Sequence, residues 1–443
     1  MAEQEKRGSR TLVKCVVCGE IFDSSLDICP VCGVGREYFI PYEEEEVSFS
    51  KNTEEKFLIL GNGAGGLNAA HAIRQRNKTC SIVIISEEPI LSYNRPMLTK
   101  SLTHLTQAEI LTHQKPWYGE SDIINVLNSK ISSMNVQEKY VELEDGKQVI
   151  YDKLVYALGA ESFVPPIKGK EKQGVITIRK YEDVKKIAEM LPSIKTAAVI
   201  GGGVLGLEAA LEISSAGVKV TVVEVADKLM MRQLDNEAGD VLGDIIKKAG
   251  IDIYVGAKID EITGENGITG ITLLDGTVIE AEMVVVSCGV KPNIEIAQKA
   301  GIQANRSIIV NEKMETNIEG VYACGDCAEF DGANYSIWPE AVDMGKVAGA
   351  NAAGDDVVYK PAVPALTFHG MNTSLFAIGD NGKNESLQYK VKEIRDDATG
   401  QYEKYYFADN KLVGVILIGD TVKMNELTLA VEEGRTYEEV FAE

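Results

Sequence analysis

The sequence predicts an α/β protein with two three-layer nucleotide-binding domains, a small cysteine module before them and a separate α+β domain after them. Three observations carry that prediction. A strand–glycine loop–helix–strand pattern occurs twice, around residues 61–66 and 201–206. Two C-x-x-C pairs, Cys15/Cys18 and Cys29/Cys32, lie ahead of the first copy. From about Pro361 the pattern changes to mixed strands with a closing helix over 425–433. The 443 residues suffice for about three domains, and 45% hydrophobic beside 25% charged residues is an ordinary globular balance.

In chain order the cysteine pairs come first. Two C-x-x-C pairs separated by ten residues fit a tetrahedral site of Cys15, Cys18, Cys29 and Cys32, and a glycine follows each pair to make its turn. Four thiolates hold either iron, which exchanges one electron at a time, or zinc, which exchanges none. Eight cysteines are too few for a disulfide scaffold, and such thiolates are easiest to keep reduced inside a cell. The expected metal module spans 1–45, and an acidic, polar linker spans 46–55.

The first nucleotide pattern opens with Lys56-Phe57-Leu58-Ile59-Leu60, a short apolar run that reads as a buried parallel strand. Gly61-Asn62-Gly63-Ala64-Gly65-Gly66 follows and matches G-x-G-x-x-G, then a helix over 67–76 and a strand over 81–85. Gly61, Gly63 and Gly66 permit a tight turn and let backbone N–H groups approach a pyrophosphate at the positive helix end. Glu87, 26 positions after Gly61, supplies a carboxylate for a ribose 2′-hydroxyl. The second copy has a strand over 197–200, the loop with Gly201, Gly203 and Gly206, a helix to 216 and a strand over 218–223 ending at Glu224. A carboxylate there accepts from a free 2′-hydroxyl and repels a 2′-phosphate, and Val225-Ala226-Asp227 supply no arginine, which favours NADH over NADPH. Both copies are Rossmann-like.

A formal charge of −22 argues against nucleic acid and against an anionic membrane surface. It suits a partner with a basic docking patch, or solubility alone. No apolar run reaches the length of a membrane span and the start is polar, so the expectation is a soluble, cytoplasmic protein.

Four further stretches complete the pattern: Ser92-Tyr93-Asn94-Arg95-Pro96-Met97-Leu98-Thr99-Lys100, residues 151–160 ending in Ala157-Leu158-Gly159-Ala160, Gly289-Val290-Lys291-Pro292-Asn293, and Val321-Tyr322-Ala323-Cys324-Gly325-Asp326. With these, and with Trp338, Ala341 and Gly345, the chain resembles the FAD- and NAD(P)-dependent pyridine nucleotide oxidoreductases from Lys56 onward, NADH:rubredoxin oxidoreductases above all. The resemblance implies an FAD-binding domain from 56–168 and 288–361, an NAD-binding domain at 169–287 and a C-terminal domain at 362–443. It places Arg95 and Pro96 in the stretch that runs past the flavin. Gly159 falls in the segment that ends the first FAD lobe, where Leu158 replaces the usual threonine. Asp326 is implied to hydrogen-bond the ribityl or pyrophosphate part of FAD, and Trp338 to lie on the flavin side. Lys100 and Glu208 are implied to meet beside the flavin N5. A hydride passes directly from nicotinamide to flavin, so orientation matters more than a general base.

The second cysteine pair and its trailing Tyr38-Phe39 resemble a rubredoxin knuckle, with a spacing closer to the compact rubredoxin-like module of rubrerythrins. That implies a mononuclear Fe(Cys)4 site, with zinc as the alternative. The chain lacks the redox cysteine pair and the catalytic His-Glu pair of disulfide reductases; between Gly61 and Lys100 the only cysteine is Cys80. His71, His104, His113 and His369 fall in no motif, and the C-x-x-C spacing of Cys324 and Cys327 coincides with the flavin Gly-Asp turn. The expectation is an enzyme passing electrons from NADH to FAD, to Fe(Cys)4 and on to an acceptor protein of rubredoxin, rubrerythrin or flavodiiron type. Two other readings stay open: an NADH oxidase that meets oxygen directly, and a redox-sensing flavoprotein with a zinc-ribbon docking module.

Overall fold

The computed structural model describes residues 11–16, 21–29, 34–43, 47–100, 102, 106–265, 267–396 and 399–442. They form two compact units, one from Val47–Val225 and Ile251–Ala362, the other from Met1–Glu46, Ala226–Gly250 and Val363–Glu443. Among the described residues no helix is long and apolar enough to cross a membrane.

The larger unit holds both nucleotide patterns. Its first sheet is parallel, in the order Val321–Ala323, Lys153–Tyr156, Lys56–Leu60, Ser81–Ile85, Ile123–Val126. The run Phe57-Leu58-Ile59-Leu60 is buried throughout, as a central strand covered on both faces requires. Pairing of Leu60 with Ile85 brings the two strand ends level, and the Gly61 N–H donates to Ile85 O at 2.8 Å. Helix α1 (Ala64–Arg76) begins three residues before the apolar periodicity indicates, since Ala64, Gly65 and Gly66 of the glycine loop form its first turn and carry no apolar period. It lies against the helix Trp338–Ala352, where a Cβ on Gly345 or Gly349 would sit 2.3 or 2.2 Å from the carbonyl oxygens of Gly65 and Ala69. Gly345 therefore has a packing role.

The second sheet repeats the design, all parallel, in the order Val175–Thr177, Met283–Val286, Thr196–Ile200, Lys219–Val223, Asp252–Tyr254. Helix α2 (Val204–Ser215) follows its glycine loop. The expected linker is attached to this unit from Lys51 onward. The Lys51 N–H donates to Arg76 O at 2.9 Å, and Asn52 Oδ1 accepts from Lys78 N–H at 2.7 Å. Asn77, which ends α1, gathers the N–H groups of Thr53, Thr79 and Cys80 on its Oδ1. The acidic residues 44–46 lie outside the described residues.

The second unit is built on an antiparallel sheet in the order Ala365–Gly370, Thr373–Gly379, Lys411–Ile418, Gln401–Ala408, Tyr389–Asp396, with the helix Met424–Glu433. The cysteine module adds a small antiparallel sheet, Ile21–Asp23 beside Leu12–Cys15 beside Phe39–Tyr42. Tyr38 is buried in the same core as Phe376, Tyr405, Leu417 and Leu427, and its hydroxyl lies 2.9 Å from Thr421 Oγ1. The module is therefore seated on the C-terminal sheet. Segment 226–250, which falls inside the span expected for the NAD domain, joins this unit through a buried ion pair of Lys404 and Asp235. Asp235 also caps the helix Asn236–Lys248, accepting the Ala238 N–H at 2.8 Å.

Candidate active site

The two glycine loops match glycine by glycine. Gly61 and Gly201 have φ of +102° and +114°, and a Cβ on either would sit 2.2 Å from the carbonyl oxygen of Ala157 or Ser287. Only glycine satisfies that turn. On Gly66 and Gly206 a Cβ would meet the Gly61 and Gly201 carbonyl oxygens at 2.0 and 2.1 Å, so the third glycine of each loop lets the helix close on the strand. Gly63 and Gly203 differ: a Cβ on either meets nothing within 4 Å. Both are N-caps in extended conformation without a side-chain cap, and neither helix has an acidic residue in its first turn. Each loop thus leaves open the positive end of a thirteen- or twelve-residue helix, where a diphosphate would fit. Among the described residues, the buried Asn62 Oδ1 between Gly61 and Gly63 has no hydrogen-bond partner in the protein. These features fit a dinucleotide at each loop.

Glu224 follows the strand Lys219–Val223, and its Oε2 accepts the Gly202 N–H at 2.6 Å. The carboxylate is thereby fixed at the loop whose helix end would bind the pyrophosphate. At the first loop the two adjacent carboxylates divide. Glu87 faces solvent with 56% of its side chain exposed and Lys180 Nζ at 3.8 Å. Glu88, 15% exposed, turns inward to pair with Arg95 and to accept from Tyr93 Oη at 2.6 Å.

Arg95 occupies the short 3-10 turn Arg95–Thr99, with Pro96 in its first positions. It donates to Tyr93 Oη at 2.9 Å and to Arg179 O at 2.6 Å. Burial alone would lower its pKa, but Tyr93 and Glu88 hold it above the ordinary value. Arg179 in turn donates to Asp326 Oδ2 at 2.5 Å and to Ala160 O at 2.9 Å. Gly159, at φ +63°, lies beside that guanidinium. Arg95, Arg179 and Asp326 are therefore linked by hydrogen bonds, with Gly159 beside the Arg179 guanidinium. Trp338 begins its helix half-buried.

Lys100 caps the same short turn and reaches Glu208, the fifth residue of α2. Lys100 Nζ and Glu208 Oε1 are 2.6 Å apart, and Thr99 Oγ1 donates to Glu208 Oε2. Glu208 is only 5% exposed, so these donors and not water satisfy its oxygens. The family resemblance implies that Lys100 and Glu208 meet, and they do; Thr99, Glu88 and Arg179 carry no such signal in the sequence. Thr99 is adjacent to Lys100 in the quoted motif, and Arg179 precedes an acidic helix start, Tyr181-Glu182-Asp183, but neither pattern by itself specifies a contact.

Of the four cysteines expected to bind metal, Cys18 and Cys32 lie outside the described residues. Cys15 and Cys29 are 0% and 2% exposed and share a small core with Phe22. The Cys29 N–H donates to Val34 O at 2.8 Å. Among the described residues no group of three or more His, Cys, Asp or Glu is placed to hold a metal. Cys324 and Cys327 are fully buried; burial pushes the Cys324 thiol up and the Cys327 thiol up to about 12. Such thiols are inert, in keeping with a packing role.

A family model described as pyridine nucleotide-disulphide oxidoreductase matches residues 55–345, and one described as rubredoxin NAD+ reductase C-terminal domain matches residues 364–435. The nitrite reductase [NAD(P)H] of Bacillus subtilis is 33% identical over 383 residues, covering 86% of this chain and 47% of that protein, so the chain spans about half of that relative's length. The NADH-rubredoxin oxidoreductase of Clostridium acetobutylicum is 30% identical over 386 residues, 87% of this chain and 96% of that one. The crystal structure of NADH:rubredoxin oxidoreductase from that organism matches with a TM-score of 0.74 and 28% identity over 88% of this chain and 97% of its own. The NADH oxidase of Methanocaldococcus jannaschii is 34% identical over 340 residues, 73% of this chain and 74% of that protein.

Proposed function

This chain belongs to the pyridine nucleotide-disulphide oxidoreductase family, and from that premise we propose that it oxidises NADH and passes the electrons through FAD to a small acceptor protein inside the cell. The observation that carries the reading is the Lys100–Glu208 pair, which joins the turn after one nucleotide loop to the helix after the other. Bound flavin supplies two-electron uptake from nicotinamide and one-electron release to an acceptor.

The residues divide the remaining work. Gly61, Gly63 and Gly66 admit the FAD pyrophosphate to the α1 end, with Arg95, Gly159, Arg179 and Asp326 as the polar group toward its middle and Trp338 and Pro96 on the flavin side. Glu87 meets the adenosine ribose. Gly201, Gly203 and Gly206 admit the NADH pyrophosphate, and Glu224 accepts from its ribose 2′-hydroxyl. Lys100 presents a fixed cation beside the flavin, and Glu208 holds that cation in place.

Cys15, Cys18, Cys29 and Cys32 would hold one iron ion, and such a centre exchanges single electrons. The burial of Cys15 and Cys29 and the donor set of four thiolates support this. The relay ends on a rubredoxin-, rubrerythrin- or flavodiiron-type protein, and a chain of charge −22 suits an acceptor with a basic face. The test is anaerobic NADH oxidation with added rubredoxin as acceptor. Rubredoxin reduction that falls in Cys15→Ser and Cys29→Ser variants with intact flavin supports the relay; no rubredoxin reduction by the parent chain contradicts it.

The relative named NADH oxidase favours a second reading, direct reaction of the reduced protein with oxygen. In that case the cysteine variants keep full turnover with oxygen. Point substitutions serve better than deletion of the module, because deletion would also remove Tyr38 from the C-terminal core.

A further inference from the structure

We propose that Thr99 is a positioning residue for the Lys100 cation: by occupying one oxygen of Glu208 it confines Lys100 to the other. The inference rests on the flavin-side role proposed for Lys100 and Glu208. Thr99 and Lys100 are consecutive residues at the end of one short turn, yet both reach the same carboxylate on α2. Lys100 Nζ takes Oε1 at 2.6 Å, and Thr99 Oγ1 takes Oε2. Thr99 is 2% exposed and Glu208 5%, so water has little access to either carboxylate oxygen.

A buried carboxylate left with one donor and one vacant oxygen draws its cation toward the midpoint of the two oxygens. Thr99 prevents that shift. It holds the carboxylate plane and leaves the ammonium on one side of it. Thr99 lies on the turn before Lys100 and Glu208 on the helix after the second glycine loop, so this hydroxyl adds a second bond between the same two elements. Thr99 touches Glu208 and acts through it.

The test uses the full chain loaded with FAD, in Thr99→Val, Thr99→Ser and Lys100→Met variants. Single-turnover flavin reduction by NADH gives a limiting rate and an apparent Kd, and the visible spectrum and flavin midpoint potential are recorded for each. Thr99→Val is expected to slow the limiting rate at least about fivefold and shift the flavin potential while the apparent Kd for NADH stays put. Thr99→Ser is expected to restore both, since it restores the donor. Parental rate and potential in Thr99→Val overturn the inference, and so does a Thr99→Ser variant as slow as Thr99→Val. Should Thr99→Val fail to fold, Thr99→Ala replaces it against the same Thr99→Ser control. Slow reduction in Lys100→Met with parental behaviour in Thr99→Val defeats this inference alone; parental behaviour in Lys100→Met defeats the role assigned to the pair.

Discussion

Lys100 Nζ and Glu208 Oε1 stand 2.6 Å apart although 108 residues separate them in sequence. One comes from the turn that follows the first nucleotide domain's second strand, the other from the helix after the second glycine loop. Replacing the ammonium by an isosteric apolar group removes a preorganised positive charge without opening a cavity. Lys100→Met is expected to slow flavin reduction or electron exit by roughly a hundredfold in rapid mixing. A variant as fast as the parent would remove Lys100 from the mechanism.

The open Cβ directions at Gly63 and Gly203 allow the two nucleotide sites to be blocked separately. Both glycines have extended backbone that any residue adopts, and nothing in the protein lies within 4 Å of the added carbon. Gly63→Val is expected to fold and to purify with little or no FAD. Gly203→Val is expected to keep its FAD and lose NADH affinity. Circular dichroism and flavin content measure the first, and NADH titration the second; normal FAD content in Gly63→Val would contradict the cradle.

Glu224 is fixed by the Gly202 N–H before any ligand arrives. A hydrogen bond to a charged group contributes about 1.5–3 kcal/mol. Glu224→Ala should therefore weaken NADH binding about tenfold or more, and should narrow the preference for NADH over NADPH. Unchanged affinity for NADH would refute the 2′-hydroxyl contact.

His113 lies flat on Trp117 at 4.0 Å, with His71 edge-on to the same ring at 5.7 Å. Burial first, and His71 second, lower its pKa from 6.5 to about 4. The neutral ring is the folded form, so the unfolded chain takes up the proton first as pH falls. The stabilising contribution is complete above about pH 6.5 and is lost as pH falls toward about 4. Thermal unfolding followed across that window should show a smaller loss in His113→Phe than in the parent; identical pH profiles would contradict the assignment.

The sequence made the strands and both glycine loops legible because their chemistry is locally forced: a positive φ at Gly61 or Gly201 tolerates little else. It also made legible the Lys100–Glu208 pairing through motif resemblance. It named Glu87 and left out Glu88, since an adjacent carboxylate after a strand carries no local sign that it turns inward to Arg95. Thr99, and Arg179 with Asp326 147 residues away, were equally hidden, because such contacts depend on tertiary packing and not on local period. The seating of Tyr38 against Thr421, 383 residues away, is the clearest case. The polar stretch after the cysteines reads as a linker, while the aromatic before it is buried in the C-terminal core.

The proposed electron path runs inside the chain from NADH through flavin to a four-thiolate iron. An anaerobic NADH titration followed by visible absorption, with metal content measured on the same sample, tests it most directly. Bleaching of the flavin together with an iron–thiolate band, in the presence of about one iron per chain, is the predicted result. Bleaching of flavin alone with zinc in the metal assay would contradict the relay.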